Sequence, residues 1–216
     1  LEQKMKKDRI VVAMSGGVDS SLAAALLLEQ GYDVVGMTMR LSDETRNTAP
    51  DDPHSRIPSS ADDAQRVADV LGIPHHVIDF TETFERTVIR YFLDSYLDGR
   101  TPNPCVVCNR HIKFGELLRA AEKIGAFHIA TGHYARIDSD ECGHYRLRKG
   151  LDHDKDQSYV LYHLNQEKLA RVIFPLGNLR KSETRRMAEE YGLPVAHKTE
   201  SQEICFVPND DYKAYL

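Results

Sequence analysis

One stretch near the start constrains this chain more than any other. Ile10 to Met14 is a short, β-branched apolar run that stops at Ser15-Gly16-Gly17, and Val18 to Gln30 then carries apolar residues at helical spacing up to Gly31. The pattern reads strand, tight loop, helix. Backbone N–H groups at the start of such a helix point outward, and two glycines let the chain approach an anion with no Cβ in the way. The loop lacks the lysine spacing of a P-loop and the three spaced glycines of a dinucleotide fold, so two common nucleotide readings are disfavoured. Hydroxyls at Ser15, Ser20 and Ser21 are candidates to bond phosphate oxygens. Asp19 would repel a bare phosphate, which points to a Mg²⁺ between its carboxylate and a pyrophosphate.

The same alternation continues downstream. Tyr32 to Leu41 reads as a second strand, Ala61 to Leu71 as a helix closed by Gly72, and His75 to Phe80 as a third strand. Strands separated by helices imply an α/β fold, an open, mostly parallel twisted sheet with crossover helices on both faces. Residues 42–60, rich in Asp, Pro, Ser and Thr, read as a long mobile loop beside a strand's carboxyl end. Thr83 to Leu97 is expected to be helical, Thr101 to Cys108 a Pro-containing loop, Asn109 to Ile124 a helix, and Phe127 to Thr131 a return to the sheet. Tyr134 to Ile137 and Tyr145 to Arg148 read as a hairpin with a polar turn at 138–143. Ser158 to Leu164, Gln166 to Ile173 and Ser182 to Tyr191 read as a helical extension, the last capped by Ser182 and Glu183.

At 216 residues, with 41% hydrophobic and 28% charged, the chain has the usage of an ordinary globular domain. Its longest apolar run, Leu22 to Leu28, is far too short to span a bilayer. No secretory leader is recognisable, so a cytoplasmic setting is expected. Four cysteines do not make a dense disulfide framework, and in a reducing compartment they read as catalytic, metal-binding or inert. The net charge of -5 gives no general support to nucleic-acid binding. A local basic stripe drawn from Arg110, His111, Lys113, Arg146, Arg148, Lys149 and Lys155 could still lie within the acidic total.

Thr101-Pro102-Asn103-Pro104-Cys105-Val106-Val107-Cys108-Asn109 is the second informative segment. Asn109 could cap the following helix, which would place Cys108 just before a helix N-terminus. There the helix dipole and the nearby Arg110, His111 and Lys113 would favour a thiolate nucleophile. On spacing alone the two cysteines could equally be a redox pair or half of a zinc site.

The Ser-Gly-Gly-Val-Asp-Ser loop after an apolar strand resembles the PP-loop of ATP pyrophosphatases, which cleave ATP between its α- and β-phosphates. The ordered set NPCVVCN, ATGHYAR, KDQSYVLY, FPLG and SQEICF resembles the tRNA-specific 2-thiouridylase family over nearly the whole chain. The resemblance implies an adenine nucleotide alpha hydrolase-like, Rossmann-like fold. It implies an ATP site from Ala13, Met14, Ser15, Gly16, Gly17, Val18, Asp19, Ser20, Met39 and Gly132, with Mg²⁺ at Asp19. It further implies that Cys108 is the nucleophile and that Cys205 carries a persulfide received from a sulfur donor or relay protein. Asn103, Pro104 and residue 105 would face the target base, and His133 and Lys155-Asp156-Gln157 would touch tRNA. The implied reaction adenylates the 2-oxo group of the wobble uridine. Sulfur from the Cys205 persulfide then displaces AMP, and attack by Cys108 leaves a Cys108–Cys205 disulfide.

Two departures follow from the same resemblance. Some members carry Asp where this chain has Cys105, so Cys105, Cys108 and Cys205 could together ligate a [4Fe–4S] cluster. Residues 1–207 match the catalytic domain and 208–216 the start of a central domain, while the family's central domain and C-terminal β-barrel are not represented. Cys142 matches no family position. Two other functions remain open: a PP-loop enzyme acting on a small metabolite, and a cluster-binding nucleotide sensor.

Overall fold

The computed structural model describes residues 8–42, 59–199, 204–207 and 211–215. Strands β1 (Arg9–Ala13), β2 (Asp33–Arg40), β3 (His75–Asp79), β4 (His128–Ala130) and β7 (Val172–Ile173) form one sheet in the order β3-β2-β1-β4-β7. All its pairings are parallel, with Ile10 opposite Val34 on one side and His128 on the other. Ile10, Val11 and Val12 of the central strand are fully buried, as expected where helices cover both faces. Ile10 and Val12 face a core shared with α1 (Val18–Glu29), α2 (Ser60–Leu71) and α8 (Lys181–Glu190). Val11 and Ala13 face the opposite core, which includes Phe114 and, from α6 (Leu117–Lys123), Leu117 and Ala121.

Successive strands run outward from β1 through β2 to β3, and then from β4 to β7 on the other side. The order therefore reverses between β1 and β4, and the loops leaving those strands open at one sheet edge, where such folds place their ligands. The hairpin of β5 (Ala135–Ser139) and β6 (Tyr145–Lys149) forms a separate antiparallel pair. Its Asp140 accepts from the amides of Cys142 and His144, which explains the polar turn and leaves Cys142 exposed.

Several sequence expectations change. The stretch read as a loop before Cys108 contains α5 (Pro104–Cys108), which runs directly into a π-helical stretch, Asn109–Glu116, and then α6. Asn103 caps it, accepting from the Val106 amide at 3.3 Å, and Pro104 takes the first helical position, where a missing N–H costs nothing. The helix expected over Thr83–Leu97 begins two residues earlier and is continuous, but it passes through a π-helical segment, Glu85–Ile89, between α3 (Thr81–Phe84) and α4 (Arg90–Leu97). Of the helix expected over 158–164, the 3₁₀ turn Ser158–Val160 is present, and α7 (Gln166–Leu169) stops short so that Val172–Ile173 can pair with β4. α8 is capped by Glu183, whose carboxylate accepts from the Arg180 amide at 2.7 Å, rather than by Ser182. Residues 43–58 of the loop expected to be mobile, and Gln202 and Glu203, lie outside the described residues.

Candidate functional site

The loop from Met14 to Gly17 is held by its own hydroxyls. Ser20 accepts from the Ser15 amide at 3.1 Å and donates to the Gly17 carbonyl at 3.2 Å, while Ser21 donates to the same carbonyl at 2.8 Å. Ser21 is fully buried, so its hydroxyl fixes the loop and is not offered to a ligand. Gly16 adopts φ +68°, and a Cβ there would meet the Ser60 carbonyl oxygen at 2.3 Å. Only glycine fits that position. Gly17 stands at the N-cap of α1 and offers no side chain to cap the helix's first amides. Gly132, in the loop after β4, lies against the backbone of α1's first turn, where a Cβ would come within 2.8 Å of the Asp19 carbonyl carbon and the Ser20 nitrogen.

Two lysines from the end of the chain close on this loop. Lys181, at the start of α8 and buried, donates to both carboxylate oxygens of Asp19, at 2.6 and 2.7 Å. Tyr134 donates to Asp19 as well, at 2.9 Å. Lys198 donates to the Gly16 carbonyl at 3.1 Å and to Asp63 at 2.5 Å. Burial pushes the Asp63 carboxyl up, but the bonds from Lys198 and Arg66 outweigh it and hold the group below the usual carboxylate range. The Asp19 carboxylate thus faces an ammonium, not an open metal position. Among the described residues no group of His, Cys, Asp and Glu is arranged to hold a metal ion. Neither Mg²⁺ at Asp19 nor a cluster on Cys105, Cys108 and Cys205 gains support from such a group.

Cys108 and the Cys205 segment are nevertheless held in one neighbourhood. Cys108 is buried with Phe84, Val88 and Ile112, and Phe206 packs against that cluster together with Met39 and Leu41 at the end of β2. Phe206 makes edge-to-face contacts with Phe84 and Phe92, at 5.5 and 5.3 Å between ring centroids, and thereby fixes the residue before it, Cys205. All four cysteines are free thiols. Burial pushes the Cys108 thiol up to about 11, Lys113 opposes this, and the neighbouring Cys205 and Cys105 add to it. The thiol of the exposed Cys205 is raised in the same way, by the crowding of surrounding atoms against the pull of Lys113. The expectation of a lowered Cys108 pKa is therefore overturned. Cys108 lies past the first turn of a helical stretch that begins at Pro104, so the dipole gives it little, and desolvation outweighs the pull of Lys113.

The remaining candidates separate by burial. Cys105 is exposed on the first turn of α5, beside the capping Asn103 and the buried Pro104. His133 is buried, bonded to Thr131 at 2.6 Å and packed near Phe114 and Phe174, and burial holds it neutral, well below the usual histidine range. Asp156 accepts from the Gly150 amide and the Ser158 hydroxyl, and Gln157 exchanges bonds with the Tyr134 backbone. These two side chains brace the loop that follows the hairpin. Sequence reasoning missed Lys181, Lys198 and Tyr134. Lys181 carried a signal, because a cation at the start of a helix opposes the macrodipole unless something else holds it there.

A family model, described as the tRNA methyl transferase HUP domain, matches residues 8–209. The chain belongs to that family. Within the tRNA methyl transferase HUP domain family it is similar to tRNA-specific 2-thiouridylase MnmA 1 of Caldanaerobacter subterraneus subsp. tengcongensis. That relative is 56% identical over 97% of this chain and 58% of its own length. The tRNA-specific 2-thiouridylase MnmA of Pelotomaculum thermopropionicum is 53% identical over 98% of this chain and 59% of its own length. The chain thus spans a little under three fifths of these relatives. Among solved structures, a 4-thiouridine synthetase in complex with RNA and bound ATP shares the fold, with a TM-score of 0.59 and 20% identity over 92% of this chain and 44% of that one. An NMN synthetase from Francisella tularensis aligns with a TM-score of 0.51 and 16% identity over 92% of this chain and 67% of that one.

Proposed function

We propose that this chain is the catalytic part of an ATP-dependent tRNA 2-thiouridylase, with residues 1–207 as the catalytic domain and 208–216 opening onto a further domain. The observation that supports the proposal most is that Phe206 seats the Cys205 segment on the cluster that buries Cys108, beside Met39 at the carboxyl end of β2. An enzyme acting on a small metabolite, or one transferring a methyl group, has no use for such a pair. Relatives 53% to 56% identical bear the thiouridylase name, which supports the same reading.

The steps follow from the chemistry of each group. The amides at the start of α1 and the ammonium groups of Lys181 and Lys198 receive the polyphosphate of ATP. The 2-oxo oxygen of the wobble uridine attacks the α-phosphorus, pyrophosphate leaves, and the oxygen becomes part of an AMP leaving group. The outer sulfur of a Cys205 persulfide attacks C2 and AMP departs. Cys108 then attacks Sγ of Cys205, which frees the thiocarbonyl base and leaves a Cys108–Cys205 disulfide for a thiol reductant to reset. Lys113 favours the Cys108 thiolate needed in that step. Cys105, Asn103 and Pro104 face the base, and Asp156, Gln157 and His133 shape the ground beneath the RNA with Lys155 at its surface. The sulfur arrives from a donor or relay protein, and the setting is the cytoplasm.

Nucleoside mass spectrometry after incubation of tRNA with ATP and a persulfide donor tests this. The wild type yields 2-thiouridine, whereas Cys108→Ser and Cys205→Ser yield none and still bind ATP. Full thiolation by either variant refutes the scheme, and pyrophosphate release that ignores added tRNA returns the small-metabolite reading.

A further inference from the structure

The basic residues offered by the sequence divide into two groups once folded. On the hairpin, Arg146 and Arg148 both bond Asp138, at 2.7 and 3.0 Å, and Arg136 bonds the Lys149 carbonyl at 2.8 Å. Much of that charge is answered within the hairpin itself. The second group is Arg110 and His111, exposed just beyond Cys108, with Lys168 in the last turn of α7. Among the described residues no carboxylate forms an ion pair with any of these three.

They stand on elements that pack together: Phe114, on the stretch that carries Arg110 and His111, shares a core with Leu164 and with Leu169 of α7, and its ring centroid lies 6.3 Å from that of His163. Burial lowers the Lys168 pKa and Arg110 and Arg119 lower it further, against Glu167. His111 is lowered by burial, then by Arg110 and Lys168. Beneath them, His163 is pushed down to about 4, by burial first and then by Lys168 and Arg110. Both ring nitrogens of His163 and the Oδ1 of Asn109 are buried with no hydrogen-bond partner. Repulsion among uncompensated cations is a standing cost in a chain of net charge -5, and an anion removes it. Next to His163 stands a bare aromatic ring. Tyr162 is 73% exposed, with its ring centroid 6.1 Å from that of His163.

We propose that Arg110, His111, Lys168 and Tyr162 form a docking surface for RNA, the cations holding phosphates and Tyr162 stacking on an unpaired base. Naming RNA as the occupant rests on the thiolation reading above; the surface itself rests on the charge and the exposed ring. Polyanion affinity explains the cations, and a π-face open to solvent explains why the polyanion carries bases. Position agrees with this. Arg110 follows Cys105 by five residues on one helical stretch, a rise of about 7 Å, so a base presented to the cysteines has its neighbouring phosphates within reach of the cluster.

Fluorescence anisotropy with tRNA across a salt series tests the surface. R110Q and K168Q each shallow the slope of log K against log salt by roughly 0.7 to 0.9, the contribution of one phosphate contact. Y162A weakens binding by about 5- to 150-fold with the slope unchanged, and Y162F restores it. R146Q on the hairpin keeps the wild-type slope. In thiolation assays the three surface variants raise KM for tRNA and keep kcat. Wild-type affinity and slope in both Y162A and an R110Q/K168Q double variant would overturn the surface while leaving thiolation intact. Loss of sulfur transfer from a donor protein with tRNA binding unchanged would also overturn it, by assigning the patch to an acidic protein. A wild type that binds no tRNA removes both readings together.

Discussion

Cys108 is the residue whose chemistry the fold changes most, and its pH dependence follows directly. Burial moves its thiol from 9.0 to about 11. At pH 8 a thiol with the lower value is roughly 10% ionised and one with the higher value roughly 0.1%, so the reactive thiolate is about 100-fold scarcer in the folded protein. Alkylation by iodoacetamide, followed peptide by peptide, should therefore rise at Cys108 with unit logarithmic slope from about pH 7 to 10. The exposed Cys142 serves as the internal control for reagent activity. The slope, rather than the absolute rate, carries the test, because burial also obstructs the reagent. Lys113→Met removes the cation that opposes the shift, so the Cys108 rate at pH 8 should fall further. The linkage has a definite sign. The folded pKa lies above the unfolded one, so this contribution is whole below about pH 9 and is lost as pH rises toward 11, by roughly 3 kcal/mol in total. Cys108→Ser should flatten that loss in denaturant titrations. A Cys108 rate that already plateaus near pH 9 refutes the argument.

Two further perturbations address the rest of the site. Lys181→Met strips Asp19 of its ammonium and removes a charge from the phosphate loop. It should cost about 1 to 3 kcal/mol of stability, between the values for exposed and buried pairs, and weaken ATP binding at least about tenfold in calorimetry. Unchanged melting together with unchanged ATP affinity would count against the placement. Phe206→Ala deletes the ring contacts with Phe84 and Phe92 that fix Cys205, each worth about 0.5 to 1.5 kcal/mol. The effective concentration of Cys205 toward Cys108, read from glutathione redox titration, should drop about 5- to 150-fold while Phe206→Leu retains most of it. An unaltered titration in Phe206→Ala would show that the segment is held by something other than this ring.

The parts of this molecule legible in its sequence are those whose physics is local. The glycines of the phosphate loop, the apolar run before it and the helical spacing after it fix a strand, a turn and a helix within 20 residues, and the alternation of such units implies a parallel sheet. Even Pro104 at a helix start could be read locally, since Asn103 and Pro104 form a cap and a first position. What could not be read is set by contacts across the chain. The ammonium on Asp19 comes from a residue 162 positions away, and the one on the Gly16 carbonyl from 182 positions away. Val172–Ile173 is too short to show any period and becomes a strand only because β4 offers an edge. Cys108 combines both kinds of reasoning. Charge and helix position, judged nearby, argue for a thiolate, yet Phe84, Val88, Ile112 and Phe206 remove the water that a thiolate needs. Desolvation wins because it acts on the ion from every side, whereas Lys113 acts from one. In the proposed scheme that burial has a use: a neutral Cys108 thiol would be slow to attack a persulfide on Cys205, so the pair would wait until the sulfur has reached the base.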